Sequence, residues 1–425
     1  MLIAPIVATN ISSFTAGASR ERVVDVLRSM RRTRFAQSRP WLAAGNPYRS
    51  AAVDKQLDKN IDLAALEKYI TVSAILHMTD GWGYLSDAFR ALAAGQRETA
   101  IHLAYYAELR AAISILACEG IGVFNRRHFA LQLKRPPQAL GGSTHPLTWN
   151  LLQAWSAQPG RVDGVLDAIV VDSKTVREWL REVKPSFVSA GQAVKDWLRA
   201  WSVDLEESKV DQYVRNETSY RPWKIRAPNP PGPSPKMHLV DPVTYAWDVL
   251  QPGTNSASAA LDSHLLRLAL QSVVPDAQTL AAALQPTSAS AQLKGFLASP
   301  ASELHSVFSF AERRLNIDDL DPNPIISRAI LLLRLSAAFV RRLLDDAGVT
   351  VGDLAVWSQP YGDHLGLWDS AGAPSPFADL WADVQDGLDE VRDGPTSHVS
   401  DVCRSIGSRP VLTQFTRVPL WLLPA

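Results

Sequence analysis

The chain has 425 residues, of which 46% are hydrophobic and 20% charged, a globular balance with length enough for two or three domains. Its 43 basic and 43 acidic residues cancel, which excludes nucleic-acid binding by a strongly basic whole surface and leaves only a local patch. Cys118 and Cys403 are the two cysteines, a usage that indicates a reducing compartment and no disulfide framework.

Residues 1–7 are apolar but short, and they lack the basic leader and cleavage site of a signal peptide. A short strand is predicted at 2–7. Residues 19–39 are rich in Arg but include Glu21 and Asp25. They read as an amphipathic helix with Val23, Val24, Val26, Leu27 and Met30 on its inner face and a basic outer face. No apolar run reaches the length of a membrane span, so no membrane contact and a cytoplasmic location are expected. Residues 62–78 carry Leu63, Leu66, Ile70 and Ala74 at helical spacing. Gly81-Trp82-Gly83 is expected to interrupt that helix, which continues over 84–94 to Gly95.

Residues 97–121 form the most apolar helix pattern in the chain, and such a helix is usually central in its bundle. Its principal polar interruptions are His102, Glu108, Arg110, Ser114 and Glu119. Arg110 shares a face with Leu103, Tyr106 and Ser114, so its charge needs a partner or a water-filled pocket. Gly120 and Gly122 stop the helix. Asn125-Arg126-Arg127-His128 reads as a polar turn and 136–146 as a loop.

Short helices are predicted at 147–155, 164–171 and 173–183, the last with Ser173 as N-cap. Further helices are expected at 189–202 and 206–220. The proline-rich run 227–236 cannot be regular helix. Beyond it, helices are predicted at 242–250, 258–273, 276–284 (with Asp276 as N-cap), 302–315, 324–348 and 377–392. Residues 286–302 read as a mobile segment with one short helix, and 411–423 as a strand or extended tail. The fold class is therefore all-α. The organisation is a basic helix and connector over 1–61, a helical bundle over 62–226, a linker over 227–241 and a second helical domain over 242–425. The thirteen tryptophans read as core packing.

No phosphate-binding glycine loop, dinucleotide fingerprint or nucleophile elbow occurs. His77 and Asp80 are three apart with no third ligand near them. Neither a metal nor another cofactor is expected. The densest chemistry lies in 210–226. There Asn216 and Tyr220, Glu217 and Arg221, and Arg215 and Ser219 are each four apart on a helix face. Arg215, Arg221, Lys224 and Arg226 outnumber Glu217, and beside Tyr220 and Trp223 they could hold a phosphate and stack a base. The plainer reading is an ion-paired helix end whose cations complement the helix dipole.

Two stretches carry a resemblance. His102-Leu103-Ala104-Tyr105-Tyr106-Ala107-Glu108-Leu109-Arg110 resembles the second helix of HEPN-like helical bundles. Arg215-Asn216-Glu217-Thr218-Ser219-Tyr220-Arg221 resembles that superfamily's motif of Arg, a polar residue and a later His, especially in its YaaC-like branch. The resemblance covers 62–226. It implies an RNA-targeting protein of a bacterial toxin or antiviral defence system, in the manner of metal-independent endoribonucleases. Arg215 matches the motif Arg and Asn216 its polar neighbour, while Tyr220 or Arg221 stands where the His belongs. A tyrosine is a poor base at neutral pH, so His128 is the candidate to supply an imidazole. Arg110, Arg221, Trp223, Lys224 and Arg226 would then hold RNA. The alternative is a catalytically silent RNA-binding module, or a structural subunit of an anti-phage complex that docks through the basic helix 19–39 or the acidic helix 377–393. A homo-oligomer fits either reading. Arg215 and Asn216 are expected to meet Arg110 or the 125–128 turn in a cleft; otherwise Arg110 should pair with a buried carboxylate.

Overall fold

A computed structural model describes residues 2–33, 40–49, 56–187 (except 159 and 162), 240–252, 261–299 (except 275), 306–313, 321–368, 372–393 and 409–423. The apolar start forms two short strands, β1 (Leu2–Ile3) and β2 (Ile6–Val7). In α1 (Ile11–Gly17) the Asn10 side chain accepts from the Ser13 N–H, an N-cap bond. Helix α2 (Arg20–Thr33) buries the five residues expected of it and turns Arg28 and Arg32 to solvent.

Strand β3 (Ile61–Asp62) pairs with β1 and leads into α3 (Leu63–Ala93). This is one helix of 31 residues, so Gly81-Trp82-Gly83 does not interrupt it as the sequence suggested. The reason is packing. A Cβ on Gly81 would lie 2.5 Å from Leu333 Cδ2 and 3.3 Å from Arg110 Cβ, so the glycine is what two neighbouring helices require. Helix α4 (Arg97–Cys118) is buried on most sides, as its apolar run predicts. Gly120 follows at φ +87°, where a Cβ would also meet the Ser19 carbonyl at 2.7 Å.

Strands β4 (Ile121–Gly122), β5 (Arg127–Ala130) and β6 (Gln138–Gly141) come next. They join β2 in a four-stranded sheet of order β2-β6-β5-β4. Strand β2 runs parallel to β6, and the other neighbours are antiparallel. The expected loop at 136–146 therefore holds a strand. Pro136 and Pro137 precede it, and hydrogen bonds to both β5 and β2 override its weak pattern.

Helix α5 (Thr144–Ser156) and helix α6 (Gly164–Ala168) lead to a hairpin of β7 (Val170–Val171) and β8 (Lys174–Thr175), then α7 (Val176–Val183). The predicted 164–171 helix thus ends as a strand. Ser173 is not the N-cap; with Asp172 it occupies the left-handed hairpin turn, at φ 64° and 47°. Thr175 caps α7 instead, in a reciprocal box with Glu178 that satisfies two otherwise orphan N–H groups. The helices predicted at 189–202 and 206–220, and the connector 227–236, lie outside the described residues.

The remaining helices are α8 (Val240–Leu250), α9 (Leu261–Val273), α10 (Ala277–Leu284), α11 (Ala291–Ala298), α12 (Ser306–Ala311), α13 (Asn323–Ala347), α14 (Val351–Leu365), α15 (Leu380–Asp393) and α16 (Val418–Leu422). Asp276 caps α10 as predicted, accepting from the Thr279 N–H at 2.7 Å. Gly348 closes α13 in the left-handed conformation, the usual glycine stop. Residues 411–423 are neither strand nor extended tail. They form single 3-10 turns and α16, with Val411, Leu412, Phe415, Val418 and Leu420 buried in no strand-like alternation.

The fold is all-α, with the small sheet at one side. Helix α13 packs along α4 and α3, and one continuous core runs from Phe14 to Leu423. By length and composition α4 and α13 would both suffice to cross a membrane, which the sequence reading had not allowed; here both are core helices covered by protein. Trp82, Trp155, Trp179 and Trp247 are fully buried, in keeping with their reading as packing residues.

Candidate functional site

Asp62 starts α3 by accepting from the Ala65 N–H at 3.3 Å. From that start, His77, Asp80 and Tyr84 fall on one side of the helix. His102, Tyr106 and Arg110 fall four apart on α4. The close contact at Gly81 brings the two rows together.

Arg110 is the centre of this arrangement. Its Nη1 donates to His77 Nδ1 at 2.8 Å. Arginine always donates, so His77 accepts at Nδ1 and carries its proton on Nε2. Burial first, and the neighbouring Arg110 charge second, hold the His77 pKa down to about 3. Asp80 lies at the edge of the group, with Oδ2 4.0 Å from Arg110 Nε. Burial raises its pKa and Arg110 opposes that shift. Arg110 Nε makes no hydrogen bond.

Aromatic rings flank the guanidinium. Its Cζ lies 5.8 Å from the Tyr84 ring centre, within cation–π range. Tyr84 stacks on Tyr106 at 5.4 Å and 25°. His102 meets Tyr106 edge-on at 5.0 Å, and His145 does so at 5.8 Å. Behind them, Tyr105 Oη and His145 Nδ1 share a hydrogen bond of 3.1 Å, and Trp149 Nε1 donates to the same hydroxyl at 3.5 Å. The arrangement offers one cation with a carboxylate at its edge, several ring faces and the neutral His77 imidazole. That combination can hold a phosphate beside a stacked base.

Of the residues proposed from sequence, Arg110 belongs to this site. Its partner is a histidine with a carboxylate beyond it, not the fully buried carboxylate that was the plain expectation. His128 lies elsewhere, buried in β5. Its Nδ1 accepts from the Phe124 N–H at 3.1 Å, and its Nε2–H donates to the Gly142 carbonyl at 3.0 Å. Both nitrogens are engaged, and burial lowers its pKa against the opposing bond to Gly142. Arg215, Asn216, Tyr220, Arg221, Trp223, Lys224 and Arg226 lie outside the described residues. Sequence reasoning missed His77 and Tyr84 as neighbours of Arg110. The four-residue spacing of His102, Tyr106 and Arg110 was the available signal. Among the described residues, no group of three His, Cys, Asp or Glu is placed to hold a metal ion. No protein-family model, curated protein or solved structure matches the chain.

Proposed function

We propose that the protein binds single-stranded RNA without cutting it, through the α3–α4 face around Arg110. The observation that carries this is the Arg110 guanidinium held between neutral His77 and the Tyr84 ring, with Asp80 4.0 Å away at its edge. A backbone phosphate takes the guanidinium and bases take the tyrosine faces, a recognition mode that tolerates sequence. The local site suits a chain with no net charge, because a single cation beside rings needs no basic surface. Binding is preferred to cleavage because His128, the imidazole that cleavage would call on, already spends both nitrogens on backbone partners.

Fluorescence anisotropy with a labelled single-stranded RNA tests this across a salt series. Arg110→Ala should weaken binding and reduce the salt slope by about one. Tyr84→Ala should cost about 1–3 kcal/mol if a base stacks there. The RNA should be recovered intact. Affinity and salt slope unchanged in Arg110→Ala would sink the proposal, and fragmented RNA would restore the ribonuclease reading.

A further inference from the structure

A cavity of about 350 Å³ opens where the β7–β8 turn, the end of α8, the start of α9 and one side of α13 meet. Among the described residues, four charged side chains line it: Arg334 and Arg341 from α13, Asp262 from α9 and Asp172 from the hairpin turn. Arg334 and Arg341 are seven residues apart, so they share a helix face about two turns apart. Val171, Leu250, Leu261 and Trp421 supply much of the apolar wall. Apolar walls with a few convergent polar groups are the usual make-up of a small-molecule site.

The inner pair is the informative one. Arg334 is 8% exposed, and its Nη2 donates to Asp262 Oδ2. Its Nη1 makes no hydrogen bond, and neither does Asp262 Oδ1. A buried guanidinium and its carboxylate, both on residues that line the cavity, thus each keep one unused atom, where buried polar groups normally find partners. Nearer solvent the same signs recur. Asp172 is exposed, and among the described residues Arg341 pairs with Asp345 at 3.9 Å.

The charge pattern selects the ligand. A simple anion would face two carboxylates and a simple cation two guanidiniums, and like charges set against each other disfavour both. A molecule carrying both charges meets an opposite partner for each. The volume sits near the lower end of ligand pockets, roughly 300–1,000 Å³, which suits one small molecule. The geometry points to a binding site for a small zwitterion with an apolar body, of the class of apolar α-amino acids. Its carboxylate faces the two arginines, its ammonium faces Asp262 and Asp172, and its hydrocarbon part lies against Leu250, Leu261 and Trp421.

Isothermal titration of the full chain with leucine and phenylalanine, and with the amide and N-acetyl form of each, tests the site. The amide lacks the carboxylate, and the N-acetyl form lacks the ammonium. At least one free amino acid should bind saturably, with both of its derivatives weaker by about tenfold or more. Asp172→Asn keeps the side-chain shape and tolerates the left-handed backbone. Arg341→Gln changes a partly exposed residue. Neither disturbs the buried Arg334–Asp262 pair, so both should melt as the parent does while binding about tenfold more weakly. No saturable binding of either amino acid up to about 10 mM overturns the site. So does equal binding of the free and blocked forms, or unchanged affinity in both variants.

Discussion

Arg328 on α13 donates from Nε to Glu108 Oε1 on α4 at 3.2 Å, with both side chains closed to solvent. The same guanidinium donates from Nη1 to the Arg313 carbonyl at 3.2 Å. This is a polar seam inside the apolar contact between the two core helices. Removing one member leaves the other charge buried without it. Arg328→Met or Glu108→Leu alone should therefore lower the unfolding free energy by about 3–5 kcal/mol. The double variant should cost much less than the sum, because neither member of the pair is then left without the other. Urea denaturation of the four proteins checks this, and a single variant as stable as the parent contradicts it.

The two glycines in the middle of α3 should respond in opposite directions. Gly81→Ala places a Cβ 2.5 Å from Leu333 Cδ2, and overpacking of this kind costs about 1–3 kcal/mol. Trimming Leu333 to Val should recover part of the loss. Gly83 has nothing within 4 Å of an added Cβ. Gly83→Ala should stabilise by about 0.5–1 kcal/mol through helix propensity. Thermal or urea midpoints of both variants decide the matter.

Acid should weaken the fold through His77. The unfolded chain takes up this proton near pH 6.5, and the folded protein only near about 3. Between those values the unfolded state binds more protons, so stability falls as the pH is lowered. The slope from this one group approaches about 1.4 kcal/mol per pH unit at most. His128 is also lowered by burial and acts in the same direction. His77→Gln should flatten the loss between pH 6.5 and 4 by up to one proton, measured as urea unfolding at successive pH values. A slope identical to the parent's would mean that His77 titrates normally in the fold.

The start of α7 separates two candidate caps. Thr175→Ala removes the side chain that accepts from the Glu178 N–H and should cost about 1 kcal/mol. Ser173→Gly should be neutral or stabilising, since Ser173 holds φ 64° in the turn, a region that glycine enters freely. If the Ser173 variant proved the damaging one, the cap would belong where the sequence first placed it.

Much of this fold was legible in the sequence where burial and periodicity coincide. The apolar runs at 97–121 and 324–348 marked α4 and α13, and Asp276 marked the start of α10. Legibility failed where distant contacts decide. Gly81 reads locally as a break, yet its role is set by Leu333 on another helix. Gln138–Gly141 has no alternation, and it becomes a strand because β2 and β5 flank it. Ser173 and Thr175 are both competent caps, and only the hairpin turn separates them. His77 was weighed only as a face residue of its own helix and as a metal ligand. Its meeting with Arg110 spans 33 residues and two helices, and no spacing rule within one helix reports it.

The packing of α13 on α4 also bears on how the chain is made. Helix α4 is complete by residue 118, but the helix that covers it ends at residue 347. At a synthesis rate of about 5–20 residues per second, the covering helix follows roughly 10 to 50 seconds later. A chain stopped after α12 should accordingly bind more hydrophobic dye than the full chain. During that interval a helix that is buried on most sides in the finished fold presents an uncovered side to solvent.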